Sequence, residues 1–316
     1  MDATRHFLTS MGLPAGDAND LLTSAKRFPD GAQYRVEIPS TEGPAALAAL
    51  IEESNRYDVT IHRVSQGSGV LLMTDDEITE MALLAKTNGM EVSLFARPNA
   101  AWDTGAMAVS SGGKTVGPRL RGQEQLVQCL EDVKRAANLG IRSVLLADEG
   151  ALWVADEMRR QGELPAEFQF KMSVMMASAN PAAIRLMEKL GANTFNIPTD
   201  LTLAQIAAIR QAVDIPLDIY VEAPDDLGGF VRLYEIPEIV RIAAPVYIKF
   251  GLRNAANIYP AGTHVQPLAI SLTRERVRRA KIGLDLLQRY YPEAVTSSPG
   301  AQGLALPVIQ EREDVK

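Results

Sequence analysis

The sequence predicts an α/β chain folded as a (β/α)8 barrel of the TIM type, with short N-terminal helices and a C-terminal tail. Three observations predict it. Eight strand-like segments follow one another, each separated from the next by a helical pattern. The span they occupy, residues 34–291, matches the roughly 250 residues typical of such a barrel. No Gly-x-Gly-x-x-Gly turn is present to favour the alternative, an open doubly wound sheet.

In chain order, residues 1–33 form an N-terminal extension with two helical patterns, Ala3–Ser10 and Asp17–Arg27, expected at the bottom of the barrel. Strands are expected at Tyr34–Ser40, Val59–Gln66, Glu91–Arg97, Ser143–Glu149, Phe168–Met175, Thr194–Pro198, Leu217–Glu222 and Val246–Gly251. The helices between them carry defined ends. Thr74-Asp-Asp-Glu77 and Thr202-Leu-Ala-Gln205 are capping boxes, in which side chains satisfy the first free N–H groups of a helix. Asn180-Pro181 places an N-cap before proline, whose missing N–H costs nothing there. Gly89, Gly140 and Gly191 stand where helices should stop. Arg274–Tyr291 would be the last helix, covering strand eight. Residues 292–316 form the tail, in which Leu304–Ile309 is apolar enough to pack.

Composition bounds the function. The chain is 47% apolar and 22% charged, ordinary for a globular protein. Its net charge of −7 argues against nucleic acid as partner, which would call for a basic face. No apolar run reaches the length of a membrane span, and the N-terminus lacks the form of a secretory signal. Cys129 is the single cysteine, so no internal disulfide or all-cysteine metal site is possible. A cytoplasmic location and a homo-oligomeric assembly are expected.

The alternation within the strands locates a candidate site. Leu217, Ile219 and Val221 alternate with Asp218, Tyr220 and Glu222, and Val246, Ile248 and Phe250 alternate with Tyr247 and Lys249. Parallel strands covered by helices usually read as continuous apolar runs, so the polar face must line the interior. The same rule sends Arg35 and Glu37 inward from strand one, and Ser93, Phe95 and Arg97 from strand three. It sends Gln169, Lys171, Ser173 and Met175 inward from strand five, and Thr194 and Asn196 from strand six. Strand two is read with His62, Val64 and Gln66 inward; strand four offers either Asp148 or Glu149. Glu222, Lys249 and Glu37 are then expected as neighbours, with Lys171 beside the Asp148/Glu149 end.

Buried charges must be paired, solvated or engaged with ligand. Catalytic groups of this fold sit at the C-terminal strand ends, where Gln66, Arg97, Glu149 and Glu222 fall. Glu222, Glu149, Lys171 and Lys249 are therefore the candidate acid, base and charge-stabilising groups. Arg97 and Arg253 would hold a carboxylate or phosphate through their planar forks. Gln66, Asn196 and Ser173 complete the candidate substrate contacts. Glu37, Asp148 and Glu222 are oxygen donors suited to magnesium or manganese, should a metal be used. The long connection 98–122 would be a lid or an oligomer contact. Its Ser110-Ser-Gly-Gly-Lys-Thr115 run lacks the first glycine of a P-loop, since Ala108 stands in that place.

Phe170-Lys-Met-Ser173, the following Asn180-Pro-Ala-Ala-Ile-Arg-Leu-Met-Glu-Lys-Leu-Gly191 and Thr199–Ile206 resemble the fifth strand and its sequel in the U32 peptidase-like (collagenase-like) barrel family. The resemblance covers about residues 168–222 and implies the barrel fold. Of the family's Ser-Thr-Gln run only Ser173 carries over, because Val174 and Met175 follow it. Thr199-Asp200 replaces an Arg-Glu pair, Glu222 replaces a histidine, and the later Glu- and Cys-containing signature is absent. The expectation is thus a barrel enzyme that cleaves or isomerises a small anionic substrate by acid/base or metal-assisted chemistry. The alternatives are a non-catalytic binding or assembly subunit, and a U32-like hydrolase of peptides.

Overall fold

The computed structural model describes residues 1–10, 20–97 and 118–309. Eight parallel strands close a barrel in sequence order. They are β1 (Tyr34–Pro39), β2 (Arg63–Gln66), β3 (Glu91–Phe95), β4 (Ser143–Leu146), β5 (Gln169–Met172), β6 (Thr194–Asn196), β7 (Leu217–Glu222) and β8 (Val246–Phe250). Around them lie α2 (Pro44–Tyr57), α3 (Asp75–Thr87), α4 (Gly122–Asn138), α5 (Glu149–Arg160), α6 (Pro181–Lys189), α7 (Leu203–Ala212), α8 (Ile236–Ala243) and α9 (Gln266–Tyr290). A further helix, α1 (Asp2–Ser10), precedes the barrel.

The capping chemistry read from the sequence is in place. Thr74 and Thr202 each make both bonds of a capping box, and Asn180 accepts from the Ala183 N–H. The apolar faces do what the alternation requires. Val36, Ile38, Val92, Leu94, Val144, Leu146, Phe170, Met172, Phe195, Ile219 and Ile248 join the helices in one continuous core between barrel and outer ring. Helix α9 comes close to β8 at Gly283, where an added Cβ would lie 2.5 Å from the Phe250 ring. That helix starts at Gln266, two turns before the expected Arg274.

Three expectations are corrected. Residues 20–27, in the second expected N-terminal helix, are irregular. Tertiary hydrogen bonds fix them instead: the Ser24 N–H donates to the Arg241 carbonyl, and Lys26 Nζ donates to the Val213 carbonyl. Residues 17–19 of that stretch lie outside the described residues, as do 98–117 of the long connection and 310–316 of the tail. Strand β2 has the opposite phase: Val64 joins the outer core, while Arg63 and Ser65 point inward. Strand β7 carries a bulge between Tyr220 and Glu222, so Glu222 pairs with outward-facing Phe250. An extra residue in a strand reverses the faces beyond it.

The N-terminal end of the barrel is closed by chain rather than solvent. Phe28 and Ala32 pack on Tyr247, and the tail crosses the same opening. Arg35 donates to Ser297 Oγ at 2.8 Å and to the Gln302 carbonyl at 2.6 Å, with its guanidinium 4.1 Å from the Phe28 ring centre. The Val36 N–H donates to His62 Nδ1, so Nε2 carries the proton and donates to the Ser297 carbonyl at 2.8 Å. The part of the tail from 295 to 305 is therefore a stopper on the barrel.

Candidate active site

Inside the barrel the inward side chains converge on one carboxylate. Glu37 accepts from Arg63 Nε at 2.8 Å and Nη2 at 2.6 Å, and from Ser65 Oγ at 2.7 Å. Lys171 Nζ bonds both of its oxygens, and Lys249 Nζ lies 3.2 Å from Oε1. Asp218 is the second hub, 2.5 Å from Arg63 and 3.2 Å from Lys171, with Thr194 Oγ1 donating to it at 3.2 Å. Glu91 stands 3.8 Å from Arg63. With every group ionised, three cations face three carboxylates.

The surroundings set the protonation behaviour of these groups. Burial alone would raise the Glu37 carboxyl, but Arg63, then Lys171 and Lys249, hold it well below the usual carboxylate range. Burial is opposed at Arg63 by Asp218 and Glu37, and its pKa rises well above the ordinary value. Lys171 goes the other way. Burial, and after it the nearby Arg63 guanidinium, push its ammonium down to about 7 despite Asp218 and Glu37. Desolvation disfavours a charged amine, and here it outweighs the ion pairs.

Above this cluster lies the C-terminal mouth. Lys249 Nζ sits 4.3 Å from the Tyr220 ring centre and 2.8 Å from the Asn196 amide, whose oxygen must face the ammonium for both groups to be satisfied. Phe95, Leu145 and Ala147 cover the β3–β4 side, with Met176 packed against them. Ser173 caps the turn Val174–Met176 by accepting from the Met175 N–H. At the rim, Arg97 donates to the Gly67 carbonyl at 3.4 Å and stacks 5.6 Å from the Phe95 ring centre.

Of the residues chosen from sequence, Lys171, Lys249, Asn196 and Glu37 come together. Glu222 does not join them. The bulge turns it toward α9, where it accepts from the Arg253 N–H at 3.0 Å and lies 3.4 Å from Arg279. Glu149 opens α5, half exposed and paired with Arg119, while Asp148 caps the same helix through the Gly150 and Ala151 N–H groups. A helix start, rather than a longer strand four, explains both. Glu37, Asp148 and Glu222 therefore do not form one magnesium or manganese site, and no group of three or more His, Cys, Asp or Glu suited to a metal occurs among the described residues. Gln66 faces outward and binds its own turn, accepting from the Gly69 N–H at 3.1 Å. Arg253 is exposed, 3.9 Å from Asp225.

Sequence reasoning missed Arg63 and Ser65, although the rule that sends apolar residues outward, applied to Val64, finds them. It placed Asp218 inward but ranked it below Glu222, the reverse of what the interior shows.

No helix among the described residues is long and apolar enough to cross a membrane. The model of the family described as Peptidase family U32 matches residues 119–223. No match was found among curated proteins. Among solved structures, the U32 peptidase Mk0906 is 14% identical, with a TM-score of 0.40 over 74% of this chain and 98% of its own. A putative lyase/mutase from Burkholderia cenocepacia is 14% identical, with a TM-score of 0.45 over 84% and 88%. A putative copper homeostasis protein CutC from Streptococcus agalactiae is 11% identical, with a TM-score of 0.45 over 68% and 98%. The chain folds as a closed eight-stranded barrel of the TIM type, and its residues 119–223 are similar to Peptidase family U32.

Proposed function

We propose that the barrel is an enzyme acting by proton transfer on a small anionic substrate at its C-terminal mouth. The observation that carries this reading is the convergence of two lysines, from β5 and β8, on the single carboxylate Glu37. Both stand close to the ends of their strands, where this fold places its chemistry. Lys171, near neutrality, can release or take up a proton at working pH; general acid–base groups work best when their pKa lies there. Lys249, held by Asn196 and Tyr220, would stabilise negative charge developing on the substrate. Arg97 and Ser173 line the mouth around them. Cleavage or isomerisation are both compatible with such a donor set.

The test is a thermal-shift screen of small carboxylates and sugar phosphates, followed by turnover assays on compounds that stabilise the protein. A ligand that binds only the folded state raises its melting temperature by mass action. Lys171→Met is expected to lower turnover by about 100-fold or more, the usual contribution of a positioned acid or base. Wild-type rates in both Lys171→Met and Lys249→Met would contradict the reading.

A second reading has its own support. The six interior charges balance and are almost wholly buried, as in a structural ion cluster. On that reading the barrel is a binding subunit, and both methionine variants would change stability alone.

A further inference from the structure

Arg276 of α9 is 4% exposed, yet it is poorly satisfied. Among the described residues its one hydrogen bond runs from Nη1 to the Ser40 carbonyl at 3.1 Å, and its buried Nε has no partner. No carboxylate of the described residues lies within ion-pairing distance of it. The two acids nearest in its electrostatic surroundings are committed elsewhere. Glu42 accepts from the Gly67 and Ser68 N–H groups at 2.7 and 3.2 Å, and Glu222 is taken by Arg253 and Arg279. Burial raises the Glu42 carboxyl, which weakens it further as a counter-ion. Leaving a buried donor unpaired costs free energy, and more so when the group is charged. A protein that keeps such an arginine has a use for the open donors.

The neighbourhood says which use. Ser40 follows the last residue of β1 and adopts φ 57°, a left-handed conformation that a non-glycine residue holds at some cost. Its carbonyl meets Arg276 while its hydroxyl meets the Tyr259 hydroxyl, so three polar side chains gather at one strand end. Tyr259 belongs to the loop between β8 and α9, and its ring lies over Gly67 at the end of β2. Chain neighbours of these groups, Glu42, Gln66, Ala261 and Gln266, line a cleft of about 40 Å³ together with Glu77. A planar guanidinium fork with two hydroxyls beside it matches a carboxylate or a phosphate.

We propose that Arg276 is the anion-binding residue of this barrel, taking one carboxylate or phosphate group of the substrate, with the Tyr259 and Ser40 hydroxyls lining the same subsite. This deepens the reading above and rests on its claim that the mouth takes a small anion. It moves the anion contact from the exposed Arg253 to a buried arginine of the last helix.

Titration of the full-length protein with inorganic phosphate and with malonate, followed by calorimetry and melting temperature, tests it. The wild type is expected to bind at least one of the two saturably. Arg276→Lys keeps the charge but loses the fork, and should weaken binding at least 10-fold. Tyr259→Phe should weaken it several-fold, and Arg278→Gln, an exposed arginine on the same helix, should leave it unchanged. Wild-type affinity in a folded Arg276→Lys protein, or no binding of either probe to wild type, overturns the proposal. Should Arg276→Lys fail to fold, unchanged affinity in Tyr259→Phe overturns it instead. Binding lost in Lys249→Met but kept in Arg276→Lys discards Arg276 while the mouth reading stands. Binding lost in Arg276→Lys, with turnover intact in both lysine-to-methionine variants, upholds the subsite and removes the acid–base reading.

Discussion

The centre of the barrel and its C-terminal rim both bury charge, and they treat it in opposite ways. At the centre, Arg63 touches three carboxylates and Glu37 touches three cations, so nearly every donor and acceptor is used. At the rim, Arg276 is equally hidden from water but makes a single hydrogen bond to a backbone carbonyl. Burial alone therefore does not distinguish the two regions; unmet bonding capacity does. The centre holds the barrel's geometry and tunes Lys171. The rim keeps donors in reserve.

Substitutions should separate the two regions by size of effect. Glu37→Gln leaves three cations around a neutral amide and should destabilise by about 3–5 kcal/mol, the usual cost of breaking a buried ion pair from one side. Urea denaturation would measure it, and a loss below 1 kcal/mol would mean that water or rearrangement relieves the centre.

The closed lower end gives a pH-dependent effect. Burial lowers the His62 imidazole to about 4, against its hydrogen bond to Ser297 and helped by Arg35. Its folded pKa thus lies below the ordinary 6.5, so no cost exists above 6.5 and stability is lost as pH falls toward 4. The loss attributable to His62 across that window is about 3 kcal/mol. Asp132, raised to about 6 mainly by burial, acts with the opposite sign in the same range, so the measurement is a difference. Stability against pH for wild type minus His62→Phe should show the slope; identical slopes would remove the His62 assignment.

Smaller effects follow at the edges of each region. Ser65→Ala removes one hydrogen bond to an ionised carboxylate and should cost about 1.5–3 kcal/mol. Arg276→Met should cost less than any of these, roughly 1 kcal/mol or below, since it removes a charge that has no ion-pair partner. Denaturation midpoints for both variants would check the order. A larger loss for Arg276→Met than for Glu37→Gln would erase the distinction between centre and rim.

How much of this was legible in the sequence varies with the range of the signal. Strand succession and capping boxes are local, and β7 was expected at the same Leu217–Glu222 that the barrel shows. The inward faces of β1, β5, β6 and β8 followed from alternation, which brought Lys171, Lys249, Asn196 and Glu37 into view. At β2 the same rule, applied to Val64, gives the observed phase, and the His62 imidazole holds the tail rather than entering the site. The β7 bulge has no signature in Asp-Ile-Tyr-Val-Glu, and one extra residue was enough to send Glu222 to Arg279. Arg276 was beyond reach altogether, because an arginine on an amphipathic helix reads as solvent-facing until the β8–α9 loop is seen to cover it.

The claim on which the rest turns is that Lys171 sits near neutrality inside the charged centre. Carbon-13 NMR of lysine Cε groups, with the Lys171 signal assigned by its loss in Lys171→Met, reads this directly across a pH titration. The account predicts a midpoint near 7. A midpoint near the ordinary 10.5 would show a permanently charged ammonium and would contradict the acid–base role assigned to it.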